Sequence, residues 1–282
     1  MSLPLGKKHA YVNNDPYVFL QSAHRLTQIN LYLPIGAEYE DMVQAGEKFQ
    51  VLWLLHGGGN YSEWARYTCI EKLAMDHKFA VVMPEGGFSF YSDQANGMKY
   101  DTYITQELPS CGSTSPCRTS GRITSLRACP WAASARRSWA LPIRNKYSAI
   151  GILSGGPMDP SRNLVKWDAE RFAWLEQYML GPTSEMAGTS NDVFHNFLKL
   201  PQGGYPMPLL YDACGTADYI YPRFLEFREF ARSAGMEQDV IFEEEPGEVH
   251  CWDFWDAYIA RFVDRLPLKN RNFWRKWHDS QM

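Results

Sequence analysis

The stretch Phe49 to Asn60, FQVLWLLHGGGN, constrains the fold most. Val51 to Leu55 are five apolar residues without a turn former among them. That run is too short for a helix and reads as a strand buried on both faces, as in a parallel sheet. It runs directly into His56, Gly57, Gly58 and Gly59. Consecutive glycines let the backbone turn sharply and bring N–H groups close to a ligand. Such a loop suits an oxyanion hole, where backbone donors meet the charge that develops on a carbonyl oxygen. A glycine run also serves as a plain turn; the preceding His and the buried strand favour the first use.

The remaining pattern is strand alternating with helix. Strands are expected at 25–33, 79–83, 148–153, 209–214 and 239–243, all apolar or alternating runs stopped by Pro or Gly. Helices with one apolar face are expected at 61–77, 168–180, 222–234 and 252–266, with less regular ones at 98–108 and 192–200. Phe88, Phe90 and Tyr91 form an aromatic group that suits either a pocket wall or the core. Alternation of this kind gives a mostly parallel sheet covered on both faces. With 282 residues, 45% hydrophobic and no internal repeat or linker, the chain is expected to form one α/β domain spanning 1–282.

Composition narrows the partners. A net charge of -4 carries no nucleic-acid footprint. No apolar run is long enough for a bilayer span, and the first fifteen residues lack the apolar core of a signal peptide. The six cysteines show no metal-ligand spacing. A cytoplasmic protein without membrane or nucleic-acid partners is therefore expected; homo-oligomerisation stays open.

Two residues sit where an acid and a base belong. Asp218 follows the strand at 209–214 in the turn Gly215-Thr216-Ala217-Asp218, and His250 follows the next strand, just before a helix. In open α/β sheets, ligands bind beyond the carboxyl ends of strands. Asp before His is the chain order of the α/β-hydrolases. Each also has a plainer use, Asp218 as a turn or capping residue and His250 as a buried structural histidine. Their joint placement favours the catalytic one, and His9, His24, His77, His195 and His278 lack that strand-end context.

The segments VLWLLHGGGNYSEWARYTCIEKLA, FAVVMPEGGFSFYSD, LSGGPMD, YDACGTADYIY and EEEPGEVHCWDFWD together resemble the tributyrin esterase and esterase D family. The resemblance runs from about Gln28 to Leu266, with Ser110 to Arg144 excepted. It implies an α/β-hydrolase fold and a serine carboxylesterase that cleaves short-chain acyl esters with a Ser-His-Asp triad. Asp218 would be the acid and His250 the base. Gly57 to Gly59 would supply one oxyanion donor, and the residue after the nucleophile the second. No metal or organic cofactor is implied. A thioesterase of the S-formylglutathione hydrolase type would use the same residues.

One departure is large. The family needs G-x-S-x-G on a strand-to-helix turn between PEGG and LSGG, and the chain has none there. Ser154, in GILSGG, has the wrong spacing and matches a strand end of the family rather than its elbow. Instead, Ser110 to Arg144 contains seven Ser and six Arg but no Asp, Glu, Lys, Asn or Gln. Taken alone, that composition reads as a basic, low-complexity insert. The genetic code offers another account. The codons of Arg127 to Ala133, RACPWAA, read one nucleotide earlier, permit Gly-Leu-Ser-Met-Gly-Gly, a complete nucleophile elbow. The flanking residues in the same frame permit an ordinary strand before it and an ordinary helix after it. The expected nucleophile therefore falls at the position occupied by Pro130, and the second oxyanion N–H at Trp131. If Pro130 stands in the folded polypeptide, the chain is instead a hydrolase-like binding protein without a nucleophile.

Overall fold

The computed structural model describes residues 17–20, 25–34, 49–58, 61–87, 89, 91–108, 126–128, 147–155, 173, 176–185, 187–188, 192–204 and 206–269. Eight strands are found among them: β1 (Tyr17–Leu20), β2 (Arg25–Tyr32), β3 (Val51–Leu54), β4 (Ala80–Pro84), β5 (Leu126–Ala128), β6 (Ala149–Leu153), β7 (Leu209–Gly215) and β8 (Val240–Glu245). Hydrogen bonding orders the first five as β1-β2-β4-β3-β5 and the last three as β6-β7-β8. β5 packs beside β6, so the two ladders lie side by side. β1 and β2 pair antiparallel with their neighbours, and every other ladder is parallel. This is the mostly parallel sheet that the alternating pattern predicts.

The apolar run of β3 is explained by its two covered faces. Leu52 and Leu54 join Val81, Met83 and helix residues Phe254, Tyr258 and Phe262 on one side. Val51, Trp53 and Leu55 join Ala80, Val82, Tyr91, Tyr100 and Tyr103 on the other. In the second ladder, Ile150, Ile152 and Leu210 pack on Phe194, Phe197 and Phe227. Alternate residues of one strand thus enter opposite cores, and none of β3 is left for solvent.

The helices among the described residues are α1 (Glu63–Tyr67), α2 (Ile70–His77), α3 (Val193–Leu198), α4 (Tyr221–Ser233) and α5 (Trp252–Arg265). The single helix expected over 61–77 is in fact α1 and α2, because Thr68 is extended at φ -132°, ψ 165°. The Thr68 hydroxyl donates to the Trp64 carbonyl at 2.6 Å, and the Cys69 N–H donates to the Asp256 carboxylate of α5 at 2.6 Å. Side-chain partners thus replace the ladder there. The segment expected at 98–108 is one short α-turn, Tyr100–Thr102, running into a π-helical stretch, Tyr103–Glu107. Phe88, Phe90 and most of 168–180 lie outside the described residues. Tyr91 is buried in the core.

Candidate active site

Parallel pairing of β3 with β4 brings their C-terminal ends together, and a polar knot forms there. His56 is fully buried, and its Nε2 accepts from the Gly86 N–H at 2.9 Å. Nε2 therefore carries the lone pair and Nδ1 the hydrogen, which faces the Gly57 carbonyl at 2.9 Å. The Tyr91 hydroxyl donates to the His56 carbonyl at 3.1 Å. Glu85 accepts from the N–H of Gly87 at 2.7 Å and of Tyr61 at 3.2 Å, tying the turn after β4 to the chain just beyond the glycine run. Its carboxylate also lies 3.4 Å from Nε2 of His56, but a ring that accepts from Gly86 gives it no ion pair. Burial alone would raise the Glu85 pKa. The Gly87 and Tyr61 N–H donors oppose it, and the carboxyl sits below its ordinary value. His56 and Glu85 thus fix the entry to the glycine loop, with Gly57 half-buried and Gly58 exposed.

At the ends of β7 and β8 a second group assembles. The Asp218 N–H donates to the Gly215 carbonyl at 3.1 Å, and the Ile220 N–H donates to Asp218 Oδ1 at 2.9 Å. These bonds hold the buried carboxylate in a tight turn. The loop from β8 is zipped against that turn: Thr216 N–H donates to the Glu245 carbonyl and Ala217 N–H to the Glu248 carbonyl, both at 3.0 Å. Gly215 is needed for this approach, since a Cβ there would lie 2.2 Å from the Glu248 carbonyl oxygen. The zipper delivers His250, whose Nδ1 lies 2.9 Å and 3.1 Å from the two Asp218 oxygens. With Nδ1 donating to the carboxylate, Nε2 carries the lone pair. The Tyr219 hydroxyl approaches it at 3.4 Å.

An aromatic wall backs this pair. Trp255 meets the His250 ring edge-on at 4.8 Å, Trp252 meets Trp255 at 4.7 Å, and Trp64 meets Trp252 at 5.3 Å. The indole N–H of Trp64 donates to the Leu55 carbonyl at 2.9 Å, one residue before His56. The wall therefore runs from the His250 ring to the strand end that carries the glycine loop.

Of the residues expected from sequence, the structure brings Asp218 and His250 into contact and sets Gly57 and Gly58 at the end of β3. Gly59, Pro130 and Trp131 lie outside the described residues. β5 ends at Ala128, two positions before Pro130, and pairs with β3 through Leu52–Leu126, Trp53–Arg127 and Leu54–Ala128. Ser154 ends the neighbouring strand with φ +50° and a buried hydroxyl. Sequence reading passed over Glu85 and Tyr219. Glu85 had a local signal, an acid directly after a strand that neighbours the glycine-loop strand. Tyr219 had only its place beside Asp218.

The esterase family described as "Putative esterase" matches residues 21–267. The chain belongs to this esterase D-type family of α/β-hydrolases. It is a carboxylic ester hydrolase. An acetyl esterase of Caldicellulosiruptor saccharolyticus is 28% identical over 220 residues, 76% of this chain and 82% of the relative. Among solved structures, the fluorophosphonate-binding serine hydrolase FphF of Staphylococcus aureus superposes with a TM-score of 0.75 at 23% identity, covering 88% of this chain and 95% of the other. The S-formylglutathione hydrolase FrmB of the same organism gives 0.72 at 23% identity with the same coverage. Among the described residues of this esterase, no helix is long and apolar enough to cross a membrane.

Proposed function

We propose that this esterase hydrolyses short-chain acyl esters through a Ser-His-Asp triad of Asp218, His250 and a serine at the position of Pro130. The observation that carries this reading is the contact of His250 Nδ1 with both Asp218 oxygens at the ends of adjacent parallel strands. In the first half-reaction, His250 Nε2 takes the serine proton as the hydroxyl attacks the ester carbonyl. The imidazolium, oriented and stabilised by Asp218, then protonates the leaving alcohol. Backbone N–H groups of the Gly57–Gly59 loop and of position 131 hold the oxyanion. Water repeats the sequence on the acyl-enzyme, with His250 again as base. The position of β5 supports the nucleophile assignment: a strand between β3 and β6 ends two residues before position 130. The acetyl esterase relative supports a short acyl group.

The experiment is a peptide mass map across residues 110–144 of the folded protein, joined to labelling with a fluorophosphonate. The expected result is a serine-containing elbow peptide that carries the label. Peptides matching the sequence with Pro130, together with no labelling, would refute the nucleophile assignment. They would leave a hydrolase fold acting as a binding protein, the reading that Pro130 itself favours. A panel of oxygen and thiol esters of one acyl group would separate an ester from a thioester preference.

A further inference from the structure

We propose that Tyr219 forms the leaving-group subsite and gives the enzyme a preference for esters of aromatic alcohols. This rests on the role of His250 as the base. Nδ1 of His250 is occupied by Asp218, so proton delivery to the departing oxygen occurs at Nε2. That oxygen must come within about 3 Å of Nε2. The Tyr219 hydroxyl stands 3.4 Å from the same nitrogen, and the Tyr219 ring lies 4.6 Å from the imidazole, tilted by 47°. An oxygen that receives the proton from Nε2 is therefore adjacent to the Tyr219 side chain, and the group it carries away leaves along the Tyr219 ring.

Tyr219 has the build of a ligand contact. It is 70% exposed, the most exposed large hydrophobic side chain among the described residues, and Val249, beside His250 in the chain, is 49% exposed. Neither contributes to a core. The backbone beneath is held by the Asp218 turn, with the Ile220 and Tyr221 N–H groups both donating to Asp218. The ring is thus presented on a fixed base. An aromatic alcohol offers a second ring to stack on it, whereas an aliphatic alcohol covers less of it. A phenol hydroxyl keeps its proton at neutral pH, so it is a donor. As a donor it serves the departing oxygen in acylation and the attacking water in deacylation, which occupy the same place.

The test compares the parent enzyme with Tyr219→Ala and Tyr219→Phe on two ester series. One series holds the acyl group as acetyl and varies the alcohol: ethyl, phenyl and naphthyl. The other holds 4-nitrophenol and lengthens the acyl group: acetyl, butyryl and hexanoyl. Using the ratio of variant to parent kcat/KM for each ester cancels intrinsic leaving-group reactivity. Tyr219→Ala is expected to lower that ratio roughly three- to ten-fold more for the aryl acetates than for ethyl acetate, the scale of one aromatic contact. The ratio should stay flat along the acyl series, and Tyr219→Phe should retain the aryl preference. An equal loss on every ester, or a loss that tracks acyl length, would overturn the subsite. His250→Ala is the control. If it is inactive while Tyr219→Ala shows no alcohol selectivity, the subsite alone fails. If it retains activity, the base assignment fails and the subsite with it.

Discussion

Removing the Glu85 carboxylate tests whether the glycine loop is held in place from outside itself. In Glu85→Ala, the Gly87 and Tyr61 N–H groups lose their 2.7 Å and 3.2 Å acceptors. A hydrogen bond to a charged group contributes about 1.5–3 kcal/mol. The Glu85 side chain is 18% exposed, so water replaces part of the loss and the lower half of that range applies to each bond. The expected destabilisation is about 3–4.5 kcal/mol for Ala. For Glu85→Gln it is about 1–2 kcal/mol, since one amide oxygen still accepts and the amide nitrogen cannot. Removing an oxyanion donor outright costs about 10²–10³ in kcat. Loosening the loop while keeping its N–H groups should cost less, roughly ten-fold. The pH dependence has a definite sign. The Glu85 pKa is lowered in the folded protein, so its contribution is present above the ordinary carboxylate value and fades as pH falls through the folded one. Urea unfolding of parent and variants from pH 7 downward, with ester kinetics at pH 7, supplies the measurements. A Glu85→Ala protein within about 0.5 kcal/mol of the parent and within two-fold in kcat would refute the reasoning.

Two further substitutions test the second strand pair. Asp218→Asn keeps the side-chain shape but deprives His250 of its anionic partner, and kcat on short-chain esters should fall by about 10⁴ with the far-ultraviolet spectrum unchanged; near-parental turnover would remove Asp218 from the mechanism. Asp212, mid-strand in β7, is fully buried with neither oxygen hydrogen-bonded among the described residues, and burial pushes its carboxyl well above the ordinary range. The folded chain therefore keeps a proton that the unfolded chain releases, so stability falls as pH rises from the ordinary carboxylate value towards the folded one. Asp212→Asn should flatten that slope, and melting temperatures that change with pH equally in both proteins would refute it.

The elements legible in the sequence were those whose burial leaves a periodic mark. β3, β4 and β6 read as unbroken apolar runs because both faces are covered, and α4 and α5 read from stripes that face one core. The break between α1 and α2 was not legible, because its causes, Thr68 against Trp64 and Cys69 against Asp256, include a partner 187 residues away. β1 was passed over: four residues are too few to show a period. In the site, Asp218 and His250 were legible from their places at strand ends. Tyr219 was not, since its meaning comes from a ring 31 residues further on. Glu85 gains its meaning only once β4 is paired with β3.

The aromatic wall behind His250 also has an optical consequence. Trp64, Trp252 and Trp255 lie with ring centroids 4.7–6.5 Å apart and at steep mutual angles. Indoles this close mix their excited states, so the three behave as one chromophore with a circular-dichroism couplet of its own. One end of that chromophore touches the His250 ring, and the other is bonded to the Leu55 carbonyl at the glycine loop. Emission from this cluster thus responds to movement of either strand end, the one that carries His250 or the one that carries the glycine loop.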